Sequence, residues 1–316
     1  MHVIDAETVH EHLAYPGLIE ALARCHRDTP PSSERVLMQA PDHGVHQGES
    51  FLVLPAWFPG RAMGVKMATV LPHNVDAGRP TIHASYQLFD GQTGEATANI
   101  AGSALTLRKT AADSGLGSRL LSRPDAGTLL MVGAGAMAPH LIAAHQAARP
   151  SLERVLVWNR TSANRDDLVE ALHAEDIEAG GVDDLAAAVA VADIVCCATA
   201  TMEPLIRGEW LHPGQHLDLV GSFNPSMRET DDECVRRARL FVDARASTVE
   251  AAGDLFRPIT DGVIDESDVL ADLFELCSGH HRGRSDATEI TLFKNGGGAH
   301  LDLFAAEHLL ERMERR

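Results

Sequence analysis

The chain has 316 residues, with 45 acidic against 27 basic side chains and a formal charge of −18. Hydrophobic residues make up 45% and charged residues 23%, which excludes a disordered chain and is enough for two domains. The acidic balance argues against nucleic acid or an anionic membrane surface as a partner, and no apolar run reaches the roughly 18 to 20 residues of a membrane span.

Taken in chain order, Ala6 to Arg27 has Val9, Leu13, Leu18, Ile19 and Leu22 at helical spacing and predicts a helix. No basic region followed by an apolar core marks a signal peptide there. From Phe51 to Ala101 four β-rich runs follow, FLVLPAWF, AMGVKMATVLP, TIHASYQLFD and EATANIAG. Gly91-Gln92-Thr93-Gly94 joins the last two as a hairpin, so this region predicts an antiparallel sheet. Ser103 to Leu121 reads as a long helix, broken by Arg123-Pro124-Asp125-Ala126-Gly127. Beyond it, TLLMVG, RVLVWN, DIVCCAT, HLDLVG and LFVDA predict strands. They are interspersed with helical runs from Met137, Arg165 and Asp183, the pattern of a parallel sheet with crossovers. His300 to Arg316 predicts an amphipathic helix. Cys25, Cys196, Cys197, Cys234 and Cys277 are odd in number and show no CxxC spacing; they read as reduced core thiols of a cytoplasmic protein.

Of the 27 cations only Lys66, Lys109 and Lys294 are lysines. From Glu34 to Lys109 six acids balance six bases, whereas Met227 to Glu275 holds 13 acids and six bases, which predicts a solvated acidic face there.

The sharpest local signal is Gly133-Ala134-Gly135-Ala136-Met137-Ala138, a G-x-G-x-x-A directly after an apolar strand and opening a helix. The first glycine permits the tight turn and the second lets the backbone approach a pyrophosphate. Ala138 lets helix and strand pack closely, and the helix N-terminus offers N–H groups to the phosphates. The next strand ends in Asn159-Arg160-Thr161 rather than in a carboxylate. Arg160 suits a ribose 2′-phosphate, with Asn159 and Thr161 able to bond it, so NADPH is expected ahead of NADH. Thr199 and Ser222, at the ends of later strands, lie where open α/β sheets bind cofactors. Gly296-Gly297-Gly298 after Lys294 suggests close backbone approach of a ligand. The 17 histidines contain no HExxH, and His10-Glu11-His12 and His280-His281 are equally readable as solvated, so no metal is expected.

Together these features resemble the ornithine cyclodeaminase/mu-crystallin family over nearly the whole chain. The specific segments are Gly64-Val-Lys66 through Asn74, Leu105-Thr-Leu-Arg-Lys109-Thr-Ala-Ala112, the glycine loop, and Ile290-Thr-Leu-Phe-Lys294. The resemblance implies an α/β fold. A Rossmann domain (122–299) is inserted in an α+β substrate-binding and dimerisation domain (1–121 plus 300–316) that carries an antiparallel sheet, and the site lies in the cleft. It also implies a homodimer, and roles for single residues. Arg35 matches the arginine that holds the substrate carboxylate, and Lys66 the active-site lysine. Lys109 falls where the family usually has arginine; alignment favours it over the preceding Arg108 as the second carboxylate contact. Asn74, Thr81 and the backbone at Gly297 are candidate substrate contacts, with His83 a weaker one. Gly133, Gly135, Ala136, Met137, Asn159, Arg160, Thr161, Thr199, Val220, Ser222 and Lys294 are the candidate cofactor contacts.

Two departures direct the choice of activity. The family's cyclodeaminases carry an acid after a strand-end Val-Gly-Gly, where Val220-Gly-Ser-Phe223 stands here, and a glutamate where Leu52 stands here. Without these carboxylates the chain is more similar to the branch of Δ1-pyrroline-2-carboxylate reductases. The expected reaction is NAD(P)H-dependent reduction of a cyclic imino acid to proline, or of its six-membered homologue to pipecolate. A protonated C=N is the better electrophile, so Lys66 reads either as proton donor or as carboxylate anchor. The alternatives are an ornithine cyclodeaminase, a dehydrogenase of alanine or N-alkyl amino acids, and a non-catalytic NADPH-binding protein like the crystallin members.

Overall fold

The computed structural model describes residues 1–41 and 46–314. Asp42, one of the six acids counted in the N-terminal half, and Arg315 and Arg316 at the end of the predicted last helix lie outside the described residues.

The chain divides into two compact units. The first comprises Met1–Cys25, Thr29–Lys109 and Gly298–Arg316, the second His26–Asp28 and Thr110–Gly297. The division falls inside a helix, at Lys109/Thr110, rather than at its end at Leu121.

In the first unit, strands β1 (His2–Ile4), β2 (Ser32–Ser33), β3 (Val36–Gln39), β4 (Ser50–Phe58), β5 (Ala62–Val70), β6 (Ile82–Asp90) and β7 (Ala96–Ala101) form one sheet in the order β1-β7-β6-β5-β4-β2, with β3 also paired to β4. All pairs are antiparallel except β1 with β7. The β6–β7 hairpin is tied by the Asp90 carboxylate, which accepts from the N–H groups of Gln92 and Thr93. The predicted N-terminal helix is two helices, α1 (Ala6–His12) and α2 (Tyr15–Cys25). Pro16 causes the break, since it lacks an N–H and its ring clashes with the carbonyl four residues earlier. Helix α3 (Gly102–Leu121) begins in this unit, and α11 (Ala299–Glu314) packs on β5, β4 and α2. Along β5, Ala62, Gly64, Lys66 and Ala68 alternate as the buried face, the two-residue period of a half-covered strand.

The second unit is built on eight parallel strands, β8 (Thr128–Val132), β9 (Arg154–Trp158), β10 (Ala179–Gly181), β11 (Ile194–Cys197), β12 (His216–Leu219), β13 (Arg239–Val242), β14 (Val269–Asp272) and β15 (Thr291–Lys294). Their order is β10-β9-β8-β11-β12-β15-β13-β14. From β8 the chain builds outward first through β9 and then, on the other side, through β11. That reversal is the switch point at which doubly wound sheets bind ligands. The connecting helices are α4 (Ala138–Ala148), α5 (Ser162–Ala174), α6 (Leu185–Val189), α7 (Asp232–Arg237), α8 (Arg245–Thr248), α9 (Gly253–Thr260) and α10 (Leu273–Cys277). Apolar strand residues such as Leu130, Val132, Val195, Leu217, Leu219, Leu240 and Leu292 form the core.

Two expectations are corrected. The acidic stretch from Met227 to Glu275 is not uniformly a solvated face, because Glu229, Asp243 and Asp254 are buried. Cys196, Cys197 and Cys234 are buried thiols, but Cys25 and Cys277 are only half-buried; none of the five is in a disulfide among the described residues. Among the described residues, no helix is long and apolar enough to cross a membrane.

Candidate active site

Two of the three lysines meet in the first unit. Lys66 lies in the middle of β5, on the face that α11 covers, and is 6% exposed; Lys109 lies on α3 and is 1% exposed. Their ammonium groups converge on one carboxylate oxygen, Asp302 Oδ2, at 2.8 Å from Lys66 Nζ and 3.6 Å from Lys109 Nζ. Lys109 also donates to the Gly298 carbonyl at 3.3 Å, and Lys66 to Thr106 Oγ1 at 3.5 Å. Asp302, on α11, is fully buried. Charges leave water only when paired, so two buried ammonium groups need an anion. Tyr86 is the register partner of Lys66 on β6, and its buried hydroxyl has no hydrogen-bond partner among the described residues. Burial, with the charges of Asp302 and Glu307, pushes its pKa well above the usual phenol range, so it stays protonated. A side chain on Gly64 would overlap that hydroxyl, which is why the family segment has no Cβ there. Asp302 was not singled out in the sequence. The available signal was an acid inside the apolar run Ala299-His-Leu-Asp302-Leu-Phe-Ala-Ala.

The other predicted substrate contacts are placed unevenly. Arg108 is occupied: it donates to His10 Nδ1 and to the His10 carbonyl, and its guanidinium stacks over Tyr15 at 4.8 Å. Of the two neighbours, Lys109 is therefore the one directed to the lysine–aspartate cluster. Arg35 sits between β2 and β3, is exposed, and makes no ion pair among the described residues, including none with the adjacent Glu34. Asn74 lies in a 3-10 turn, Pro72–Ala77, and its amide donates to the Pro80 carbonyl. Thr81 accepts from the Leu71 N–H through its backbone. These two shape the loop between β5 and β6, and His83 lies exposed near the start of β6.

In the second unit the glycine loop has the form its sequence requires. Gly133 is buried with φ +109°, and a Cβ there would come within 2.6 Å of the Ala198 carbonyl oxygen. Gly135 and Ala136 are exposed, and a Cβ on Gly135 would meet open space, so the loop can admit a phosphate against its backbone. Met137 caps α4. Asn159 accepts from the Ala134 N–H at 3.2 Å and donates to the Thr161 carbonyl, tying the loop to the end of β9. Arg160 and Thr161 are exposed at that end, with no carboxylate in the triplet. These residues fit a dinucleotide.

The strand ends near the switch point are held by a buried acid that sequence reasoning missed. Glu229 accepts from the N–H and hydroxyl of Thr199 at 2.8 Å each and from the Gly221 N–H at 2.8 Å. Its own N–H donates to Asp254. Burial and the nearby charge of Asp254 push Glu229 up to about 7, against the pull of Lys294 and the Thr199 bonds. Lys294, expected to touch the cofactor, is instead buried. It forms an ion pair with Asp254 at 3.4 Å and donates to the Leu219 carbonyl. Its strand lies inside the sheet, between β12 and β13, so the ammonium is spent on the fold. Val220 bonds Cys197 through its backbone, and the buried Ser222 hydroxyl donates to Met227. Phe223, at the position of the missing cyclodeaminase acid, is 64% exposed. Gly297 has φ +66°, and its N–H donates to Asn295 Oδ1.

His145, Cys196 and Asp218 also gather within 4.8 Å of one another. The sequence search missed them because they come from α4, β11 and β12. Asp218 is already taken by His145 at 3.0 Å, the Cys196 thiol and the Ser114 hydroxyl. Burial would raise its pKa, but the hydrogen bond and charge of His145 and the Cys196 contact hold it below the usual carboxylate range.

The fold and the glycine loop define a two-unit chain with a doubly wound dinucleotide-binding unit. The family description "Ornithine cyclodeaminase/mu-crystallin family" matches residues 3–316, and the chain belongs to that family. It is 42% identical over 301 residues to the Delta(1)-pyrroline-2-carboxylate reductase of Paracoccus denitrificans, covering 95% of this chain and 93% of that one. It is also 42% identical over 273 residues to Protein SAR DEFICIENT 4 of Arabidopsis thaliana, covering 84% of each. Among solved structures, Thermococcus litoralis Delta(1)-pyrroline-2-carboxylate reductase in complex with NADH and L-proline superposes with a TM-score of 0.92 at 29% identity. That match covers 100% of this chain and 98% of the other.

Proposed function

We propose that this chain is an NAD(P)H-dependent reductase of cyclic imino acids. It would convert Δ1-pyrroline-2-carboxylate to L-proline and, by the same chemistry, Δ1-piperideine-2-carboxylate to L-pipecolate. The observation that carries this reading is the convergence of two buried ammonium groups, Lys66 and Lys109, in the first unit. A cyclic imino acid brings one carboxylate, adjacent to the C=N carbon, which ammonium groups can seat. The relatives named as pyrroline-carboxylate reductases support the same reading, as does Phe223 in place of the acid that the cyclodeaminases use.

A nicotinamide dinucleotide, when bound, supplies the hydride. Gly133, Gly135, Ala136 and Met137 would hold its pyrophosphate, and Asn159, Arg160 and Thr161 the adenosine ribose. Thr199, Val220 and Ser222 would flank the nicotinamide. The exposed Arg160 and the absence of an acid beside it favour NADPH over NADH. Lys66 and Lys109 anchor the carboxylate and fix the face of the ring presented for reduction. Lys66, the more exposed of the pair, is placed to hold the proton that activates the imine nitrogen. Arg35 would add a third carboxylate contact from its loop.

The first unit is also the proposed dimerisation domain. On the sheet face opposite α11, Val36, Met38, Phe51 and Trp57 are exposed, Trp57 to 51%, beside half-buried Val53 and Met67. Such an apolar face fits a second copy of the chain, giving a homodimer. Five free thiols and no disulfide suit a reducing compartment, the cytoplasm.

The test is oxidation of NADPH and NADH measured side by side against five- and six-membered cyclic imino acids. Turnover with either ring is expected. Release of ammonia from ornithine without added reductant, with no turnover of either imine, would replace this reading by the cyclodeaminase one.

A further inference from the structure

We infer that Glu229 is a positioning residue for the nicotinamide half of the dinucleotide: it ties the ends of β11 and β12 together and leaves the Thr199 hydroxyl able only to accept a hydrogen bond from that half. The inference rests on the reading of the second unit as the dinucleotide site.

The arrangement begins where the parallel ladder stops. Strands β11 and β12 pair as far as Cys197 and Leu219, and one more backbone bond runs from the Val220 N–H to the Cys197 carbonyl at 2.8 Å. Beyond it, the N–H groups of Thr199 and Gly221 donate to Glu229, one to each carboxylate oxygen, both at 2.8 Å. The carboxylate thus continues the ladder past its last backbone bond. Gly221 lies so close that a Cβ there would come within 2.1 Å of the Thr199 carbonyl oxygen and 2.5 Å of Glu229 Oε1. Glu229 is itself fixed through its backbone. Its N–H donates to Asp254 Oδ1 at 2.7 Å, and its carbonyl accepts from the Leu205 and Ile206 N–H groups.

The direction of the Thr199 hydroxyl selects the ligand. A carboxylate only accepts, so this hydroxyl gives its one proton to Glu229 Oε1, at 2.8 Å, and keeps its lone pairs for a donor. Pyrophosphate oxygens are acceptors and carry negative charge, so a hydroxyl already spent on a buried carboxylate does not suit them. It suits a ribose hydroxyl or a carboxamide NH2, the donors of a nicotinamide riboside. The sheet order agrees. Across β9-β8-β11-β12, Arg160 follows β9 and the glycine loop follows β8, so the far half of a dinucleotide falls at the ends of β11 and β12. Thr199 is half-buried and borders the glycine loop, since a Cβ on Gly133 would lie 3.3 Å from its Cγ2.

The experiment compares each dinucleotide with the fragment that lacks nicotinamide riboside: NADP+ with ADP 2′-phosphate, and NAD+ with ADP. Each is titrated by calorimetry into the full-length protein well above pH 7, where Glu229 is ionised. Glu229→Gln, turned to accept from Thr199, sets an NH2 against the Gly221 N–H. It is expected to weaken dinucleotide binding by about tenfold and to leave the fragment's affinity where it was. Thr199→Val should do the same, and Thr199→Ser, which keeps the hydroxyl, should bind as wild type does. If Glu229→Gln does not fold, the Thr199→Val and Thr199→Ser pair decides the matter. Equal weakening of dinucleotide and fragment, or of neither, would overturn the inference and leave the dinucleotide site standing. A wild type that binds neither dinucleotide would overturn both. The expected split in a protein that reduces no cyclic imino acid would uphold the inference and remove only the proposed activity.

Discussion

The three lysines sit in two buried clusters, one in each unit. In the first unit Lys66 and Lys109 converge on Asp302. In the second unit Lys294 lies with Asp254 and Glu229, so the cluster has one anion too many. That surplus is met from within, by the N–H and hydroxyl of Thr199, the Gly221 N–H and a proton that Glu229 holds up to about pH 7. On the proposed reading, the difference separates a lysine kept for the fold from lysines kept for a ligand, although all three are buried.

The comparison can be broken at several points. The largest effect is expected from Lys66→Ala, which should lower kcat/KM for the imino acid by roughly 10²- to 10⁴-fold without weakening dinucleotide binding, checked by steady-state kinetics and cofactor titration. Lys294→Met should instead lower the melting temperature, and its kinetic loss should follow the fraction unfolded. Gly133→Val combines an unfavourable φ of +109° with a clash against Ala198. It is expected to abolish dinucleotide binding, read by fluorescence titration, and to cost about 1–3 kcal/mol of stability in chemical denaturation. Arg160→Ser should raise KM for NADPH about tenfold and leave that for NADH unchanged, the weight of one charge-assisted hydrogen bond. Equal effects on both cofactors would remove Arg160 from the 2′-phosphate.

A smaller effect sharpens the second cluster. Glu229 has a folded pKa of about 7, above its ordinary 4.5, so the native state keeps a proton that the unfolded chain has released. Its stabilising contribution is full below pH 4.5 and is lost as pH rises towards 7. The melting temperature should therefore fall across that window, and fall less steeply in Glu229→Gln. Parallel curves for the two proteins would mean that Glu229 does not titrate there.

Much of this was legible in the sequence because it is local. The alternation after Val132, the G-x-G-x-x-A and the missing acid at Asn159-Arg160-Thr161 each lie within a few residues. Lys66 was legible because a lysine in the middle of an apolar strand needs a reason. The single N-terminal helix was misread because Val9 to Leu22 keeps helical spacing across Pro16, and periodicity alone does not register a missing N–H. Asp302, Glu229 and Asp254 were not legible because their partners lie far along the chain. An acid on an amphipathic helix or in an acidic stretch reads as solvated until the fold brings Lys66 or Thr199 to it. Lys294 shows the reverse error, since a motif lysine beside a glycine loop reads as a ligand contact until Asp254 is found against it.

The central claim, that Lys66 and Lys109 form the seat of an anionic ring, is tested most directly without turnover. Binding of pyrrole-2-carboxylate, a flat five-membered ring with the same single carboxylate, can be measured by calorimetry on the protein saturated with NADP+. Wild type should bind it. Lys66→Met and Lys109→Met should each weaken binding by about tenfold or more, and Lys294→Met should bind as wild type does. Unchanged affinity in both first-unit variants would contradict the account.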